Sequence, residues 1–260
     1  MTRQRLDQLL VDRGLFPSRA RAAAAILAGD VLLGPDRRRA AKAGQPVASD
    51  ALVDVVAQMP YVSRGGIKLA NALDAFKVPV RGRRALDVGA STGGFTDCLL
   101  QCGACHVVAV DVAYGELSWK LREDPRVTVI ERCNARALDA ARLPYAPELI
   151  VMDLSFISLT KVLPAVLATA APDYDCLAMV KPQFEVGRER VGKGGVVRDP
   201  EARREALLGV AEAAVALGAR LAGCASSGLP GPKGNREAFL WLRGEGDGHD
   251  PAAILEAVAL

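Results

Sequence analysis

The feature that most restricts the fold of this sequence is a series of short apolar runs: Ala85 to Val88, Val107 to Val112, Val127 to Ile130, Leu149 to Asp153 and Leu177 to Val180. Each is separated from the next by a stretch too long for a hairpin. Strands that alternate with helical connections pair in parallel, because a parallel partner is reached only by a crossover that carries the chain back along the sheet. Two further candidate strands, Leu221 to Ala225 and Ala238 to Leu242, follow a long helix over Glu201 to Leu217. Only a Gly/Pro-rich connection joins them, so the last strand is expected to run antiparallel. The expectation is an α/β fold with a seven-stranded sheet.

The 260-residue chain has room for this sheet and a small appendage. Its first 60 residues hold 9 Lys/Arg against 6 Asp/Glu, and the rest hold 24 of each, so the whole net charge of +3 sits at the N-terminus. Local positive charge suits a phosphate-rich partner, and equally a solvated face. In this segment Leu6, Leu9 and Leu10 give one apolar face to a short helix that Gly14 can end. Ser18 is a suitable N-cap for a second helix, Ala20 to Leu27, which Gly29 stops. Val31 to Leu33 and the alternation in Ala51 to Val56 read as short strands, making a compact α+β module over residues 1–59.

Arg5-Leu6-Asp7, Gly14, Ser18-Arg19, Gly29-Asp30-Val31 and Gly34 resemble, in order, a family of RNA-binding domains first described in a small-subunit ribosomal protein; Leu33 replaces the asparagine common before the last glycine. The resemblance implies that Arg3, Arg5, Arg19 and Arg21 face RNA phosphates, with Arg37 to Arg39 as a second basic cluster; ordinary solvated arginines are the alternative.

Pro60 to Gly66 combines turn formers with a change of pattern and is read as an interdomain linker. A helix over Ile67 to Phe76 would open a second domain spanning 67–245, with Lys68 projecting from it, and 246–260 would form a tail or helix. The longest near-apolar stretches fall far short of a bilayer span, and Leu6 to Arg13 mixes apolar with charged positions, unlike a secretory signal; a cytoplasmic protein without membrane association is expected. Cys98, Cys102 and Cys105 match a C-x3-C-x2-C cluster-ligand spacing, but they run from a helix to the start of a strand, so buried free thiols and no metal are expected.

Asp87, Val88, Gly89, Ala90, Ser91, Thr92, Gly93, Gly94 and Phe95 put an apolar strand directly before a glycine-rich turn that opens a helix, where backbone can approach a ligand closely. Ser91 stands where a dinucleotide fingerprint needs its second glycine, which disfavours pyrophosphate. Asp111 ends the second strand 18 residues after Gly93, and its carboxylate can accept from both hydroxyls of an adenosine ribose. Val112 beside it is a further cofactor-binding candidate, and Asn134 past the third strand is a candidate for the adenine edge, with a plain turn asparagine as the alternative. A parallel sheet with a reversed last strand and this turn is the organisation of the class I methyltransferases, Rossmann-like enzymes that use S-adenosylmethionine, a cofactor with no phosphates.

Lys68, Asp153 closing the fourth strand, Lys181 closing the fifth and Glu237 opening the last lie where an open sheet exposes its functional edge. They match the K-D-K-E tetrad of ribose methyltransferases related to the FtsJ heat-shock methylase. Together with Tyr61 to Leu69, Asp87 to Phe95, Asp153 to Ser158, Lys181 to Glu185 and Gly234 to Glu237, they resemble the haemolysin A (TlyA) family almost end to end. The resemblance implies 2'-O-methylation of cytidines in ribosomal RNA within ribosomal subunits, with Lys68, Asp153, Lys181 and Glu237 catalytic and Asp153 also at the cofactor. Desolvation at the strand end would hold the Lys181 amine neutral as base. Arg64, together with Arg188, Arg190 and Lys193 in a glycine-rich segment over Val186 to Arg198 that also holds Arg198, would add RNA contacts, the segment serving as a mobile cationic loop over the entrance, with a plain solvated loop as the alternative. Two rival readings are a non-catalytic ribosome assembly factor and a membrane-active cytolysin, as the family label suggests.

Overall fold

The structure, a computed structural model, describes residues 3–55, 59–231 and 233–256. It divides into two compact units, Met1–Met59 and Pro60–Leu260.

In the first unit, β1 (Arg3–Arg5) leads into α1 (Leu6–Asp12) and α2 (Arg19–Ala28), followed by β2 (Val31–Leu33), β3 (Arg38–Arg39), β4 (Pro46–Ala48) and β5 (Val53–Val55). Ser18 caps α2, its Oγ accepting from the Arg21 amide at 3.3 Å, and Gly29 ends the helix at φ +83°. Leu6, Leu10, Ala22, Ile26 and Val31 form the core. Asp7 is buried beneath the helix pair and accepts from Arg5 Nε at 3.0 Å and from an Arg19 guanidinium nitrogen at 3.1 Å. These hydrogen bonds hold its carboxyl down at about 2. Arg5 and Arg19, expected to face RNA, are thus tied to α1 and remain about half exposed; Arg3 and Arg21 are exposed. The expected strands at β2 and β5 are present; β1 (Arg3-Gln4-Arg5) and β3 (Arg38-Arg39) hold no apolar residue and β4 opens on Pro46, so no apolar pattern announces them. Val56, the end of the expected alternation, lies outside the described residues.

In the second unit the chain runs α3 (Arg64–Phe76), β6 (Arg84–Val88), α4 (Gly94–Gln101), β7 (His106–Val110), α5 (Trp119–Arg122), β8 (Val127–Ile130) and β9 (Leu149–Met152). It continues through α6 (Leu163–Leu167), β10 (Asp175–Val180), α7 (Pro182–Glu185), α8 (Pro200–Ala216), β11 (Arg220–Ser226), β12 (Ala238–Arg243) and α9 (Pro251–Glu256). Among the described residues seven strands form one sheet in the order β11-β12-β10-β9-β6-β7-β8, with β12 antiparallel to both its neighbours and the pairings from β10 to β8 all parallel. Successive side chains alternate between faces. Leu86, Val88, Ile150, Met152 and Ala178 pack with α6, α8 and α9 on one side; Ala85, Val107, Val151, Met179 and Phe239 pack with α3 and α4 on the other.

Three expectations need correcting. Pro60 to Gly66 is not a linker: Tyr61 and Val62 pack against the second core, the Val62 amide donates to Asp97 at 2.9 Å, and α3 already begins at Arg64. The glycine pair that read as a break is there for contact, since a Cβ on Gly66 would lie 2.3 Å from the Tyr61 ring. The expectation of buried thiols holds for Cys98 but fails for Cys102 and Cys105, which are exposed because the chain turns outward between α4 and β7. Val186 to Arg198 is not a loose loop. Its turn closes with a Gly192–Val196 bridge, and buried Asn235 pins it by donating to the Gly195 carbonyl at 2.8 Å and accepting from the Val197 amide at 2.9 Å. Among the described residues, no helix is long and apolar enough to cross a membrane, and no three His, Cys, Asp or Glu side chains converge as a metal ion would require.

Candidate active site

Sheet register assembles the site. Val88 lies opposite both Val110 and Met152, Met152 opposite Ala178, and Val180 opposite Ala238. Gly89, Asp111, Asp153, Lys181 and Glu237, each within one residue of those ends, therefore emerge along one edge, the carboxyl end of the parallel strands, where open α/β sheets bind ligands. Lys68 reaches the same place from α3.

A cavity of about 420 Å³ has Lys68, Asp153, Lys181 and Glu237 in its wall. The four form two ion pairs. Lys68 Nζ donates to Glu237 Oε2 in a short contact with both side chains almost wholly buried. Lys181 Nζ lies 2.6 Å from Asp153 Oδ1, an electrostatic contact outside hydrogen-bonding geometry, and donates to Ser155 Oγ at 2.8 Å. Arg64, Gly89, Ala90, Ser91, Thr92, Gly94 and Phe95 line the same cavity, and Arg64 also donates to the Pro230 carbonyl at 3.2 Å.

A second cavity of about 490 Å³ carries Asp111, Val112 and Asn134, and shares Gly89, Ser91, Asp153 and Ser155 with the first. Asp111 accepts from the Ser91 amide at 2.7 Å and from the Ala113 amide at 2.8 Å. The Ser91 amide is thus spent on Asp111 and is not offered to a phosphate, whereas each carboxylate oxygen keeps acceptor capacity. Asp111, Glu116 and Asp153 make the wall acidic, which suits a cationic nucleoside and repels a pyrophosphate. Volume and donor set fit S-adenosylmethionine. Asn134 caps a short 3-10 turn, its Oδ1 accepting from the Arg136 amide at 3.1 Å, while still lining the cavity.

Two expected cofactor residues do not line either cavity. Asp87 is fully buried because strand alternation turns it toward α4, where Thr96 Oγ1 donates to it at 2.6 Å. Burial pushes its carboxyl up to about 7. Gly93, at φ +95°, serves packing: a Cβ there would strike Leu121 at 2.2 Å. Among the loop cations, Arg190 is ion-paired to Glu205 and Asp199, and Arg188, Arg190 and Lys193 line neither cavity.

In the strand-four loop beyond Asp153, two side chains acquire a place at the site that their residue types do not announce. Ser155 touches the lysine, and Phe156, at φ +66° and 90% exposed, presents its ring at the rim of the second cavity, 5.3 Å from Phe184. Glu185 fastens this loop by accepting from Ser158 Oγ at 2.6 Å and the Leu159 amide at 2.9 Å. Positive φ at Ser91 and Phe156, both non-glycine, marks backbone held in a costly conformation at the site.

Residues 61–244 match the model of the FtsJ-like methyltransferase family. The 16S/23S rRNA (cytidine-2'-O)-methyltransferase TlyA of Mycobacterium tuberculosis is 51% identical over 247 residues, covering 94% of this chain and 91% of that protein. Hemolysin A of Brachyspira hyodysenteriae is 37% identical over 234 residues, 90% of this chain and 97% of its own. A solved Streptococcus thermophilus structure described as a hemolysin superposes with a TM-score of 0.75 at 37% identity, covering 98% of this chain and 94% of that one. With the sheet, the tetrad cavity and these relatives in agreement, the chain belongs to the haemolysin A (TlyA) family of FtsJ-like methyltransferases.

Proposed function

We propose that this protein is an S-adenosylmethionine-dependent 2'-O-methyltransferase acting on cytidine ribose in ribosomal RNA. The observation that carries the reading is the convergence of Lys68, Asp153, Lys181 and Glu237 in one cavity that shares its wall with a second, acidic one. The M. tuberculosis relative is named for 16S and 23S rRNA cytidines, which supports the substrate class. Ribosomal RNA as substrate makes ribosomal subunits the partner and the cytoplasm the place of work.

Asp111 would hold the adenosine ribose, Val112 and Asn134 the adenine, and Asp153 with Gly89 to Thr92 the amino-acid end. The cofactor, when bound, supplies an electrophilic methyl on a sulfonium. Lys181 orients the ribose 2'-hydroxyl and takes its proton as the oxygen is alkylated, and Asp153 beside it stabilises the positive charge that results. Glu237 neutralises Lys68, so that Lys68 positions the ribose without adding net charge to the pocket. Exposed Phe156 offers a face on which a base can stack, and Arg3, Arg21 and Arg64 supply cations for phosphates.

Incubation with radiomethyl S-adenosylmethionine and unmodified bacterial ribosomal subunits, followed by nucleoside digestion, tests the reading. Label on a cytidine 2'-oxygen that disappears with Lys181→Ala is expected. Label on a base, or none, rejects it.

A further inference from the structure

Lys181 Nζ has two polar neighbours among the described residues, and they act on it differently. Asp153 Oδ1, 2.6 Å away but outside hydrogen-bonding geometry, draws the nitrogen's positive N–H side toward itself by charge alone. Ser155 Oγ, 2.8 Å away, accepts a hydrogen bond and so restrains the rotation of the nitrogen about its Cε–Nζ bond. Ser155 stands where the two cavities meet and lines both. It lies three residues beyond the end of β9, and Glu185 fastens the loop on its far side at Ser158 and Leu159, so the segment that carries the hydroxyl is anchored at both ends.

An amine acting as base carries two N–H bonds and one lone pair in tetrahedral array. We propose that Ser155 is the positioning residue that aims this lone pair: it accepts one N–H of Lys181 while the Asp153 carboxylate draws the other, which leaves the lone pair the third position, toward the ribose hydroxyl. The inference rests on the methyltransferase reading above. In the step it serves, the 2'-oxygen forms a bond to the methyl carbon as the carbon–sulfur bond breaks. Lys181, paired with Asp153 as an ammonium at rest, first releases one proton to solvent; the hydroxyl proton then passes to its neutral Nζ, leaving a neutral thioether and an ammonium that Asp153 stabilises. Without the Ser155 hydroxyl the nitrogen loses this restraint and the aligned fraction falls, while Asp111 and the Gly89 to Thr92 turn still hold the cofactor.

The test compares wild type with Ser155→Ala, Ser155→Cys and Ser155→Thr, measuring kcat and KM on ribosomal subunits and cofactor affinity by calorimetry. Ser155→Ala and Ser155→Cys, the latter close in shape but a poor acceptor, are expected to lose about 10- to 100-fold in kcat. Cofactor affinity and RNA KM should stay within about twofold, a difference below one RT or so of binding free energy. Ser155→Thr, which keeps the hydroxyl, should recover most of the rate. A kcat for Ser155→Ala equal to wild type overturns the proposal, as does a loss that appears equally in cofactor affinity or that Ser155→Thr does not restore. If wild type itself transfers no methyl to ribose, the functional reading falls and this inference with it. An active wild type with an equally active Ser155→Ala rejects Ser155 alone.

Discussion

Lys68 and Glu237, 169 positions apart in sequence, form an ion pair whose side chains are only 8% and 1% exposed. A buried charge left without its partner is far costlier than the pair itself. Lys68→Met alone should therefore destabilise the second unit by about 3 to 5 kcal/mol. The double variant Lys68→Met/Glu237→Met should recover most of that loss while remaining inactive. Urea unfolding of the two single variants and the double gives the coupling directly; strictly additive costs would show that the two charges do not depend on each other.

Gly89 sits at φ +88°, and a Cβ there would come within 2.5 Å of the Asp153 carbonyl oxygen. Gly89→Ala should push the ends of β6 and β9 apart and weaken S-adenosylmethionine binding by about tenfold or more, each tenfold being about 1.4 kcal/mol. Gly82→Ala is the control: it has a similar φ of +79° with open space around it, so it carries the backbone strain without the collision. Calorimetric titration of both should find the affinity loss in Gly89→Ala only.

Burial holds the Asp87 carboxyl at about 7 in the folded protein, against 3.8 for the unperturbed group. Between those values the unfolded chain gives up a proton that the folded chain keeps. Stability from this group thus falls as pH rises from about 4 to about 7 and is level beyond. Asp87→Asn has no proton to lose. Its melting temperature relative to wild type should rise across that window and then stay constant, and a difference that does not change with pH would contradict the assignment.

Phe156 meets Phe184 at 5.3 Å yet leaves its ring 90% exposed at positive φ. If a substrate base stacks on it, Phe156→Ala should weaken RNA binding by about 1 to 3 kcal/mol, the usual worth of one base on an aromatic face. Phe156→Tyr should bind as wild type does, and neither change should alter cofactor affinity. Filter binding with subunit RNA separates these outcomes.

The places where sequence and structure part company have physical causes. Asp87 belongs to the glycine-rich motif and was assigned to the cofactor, but period-two alternation turns its side chain beneath α4. Gly65 and Gly66 have the composition of a hinge, yet serve close contact, with Tyr61 in the case of Gly66. Arg190 counted as a free cation until α8 brought Glu205 alongside. Ser155 and Phe156 had no chemical role in the sequence reading because a serine and a phenylalanine acquire one only from what lies across the cavity.

The sequence by itself determined the alternation of strand and helix, the reversed last strand, the turn after β6 and the identity of the four polar residues at the sheet edge. All of these depend on local periodicity, on backbone freedom or on motif resemblance. Tertiary structure alone decided that Lys68 pairs with Glu237 and Lys181 with Asp153, that Lys181 donates to Ser155, and that the Ser91 amide is spent on Asp111. Those pairings depend on strand register and helix packing between segments up to 169 residues apart, and short-range sequence patterns carry no information about which distant groups will meet.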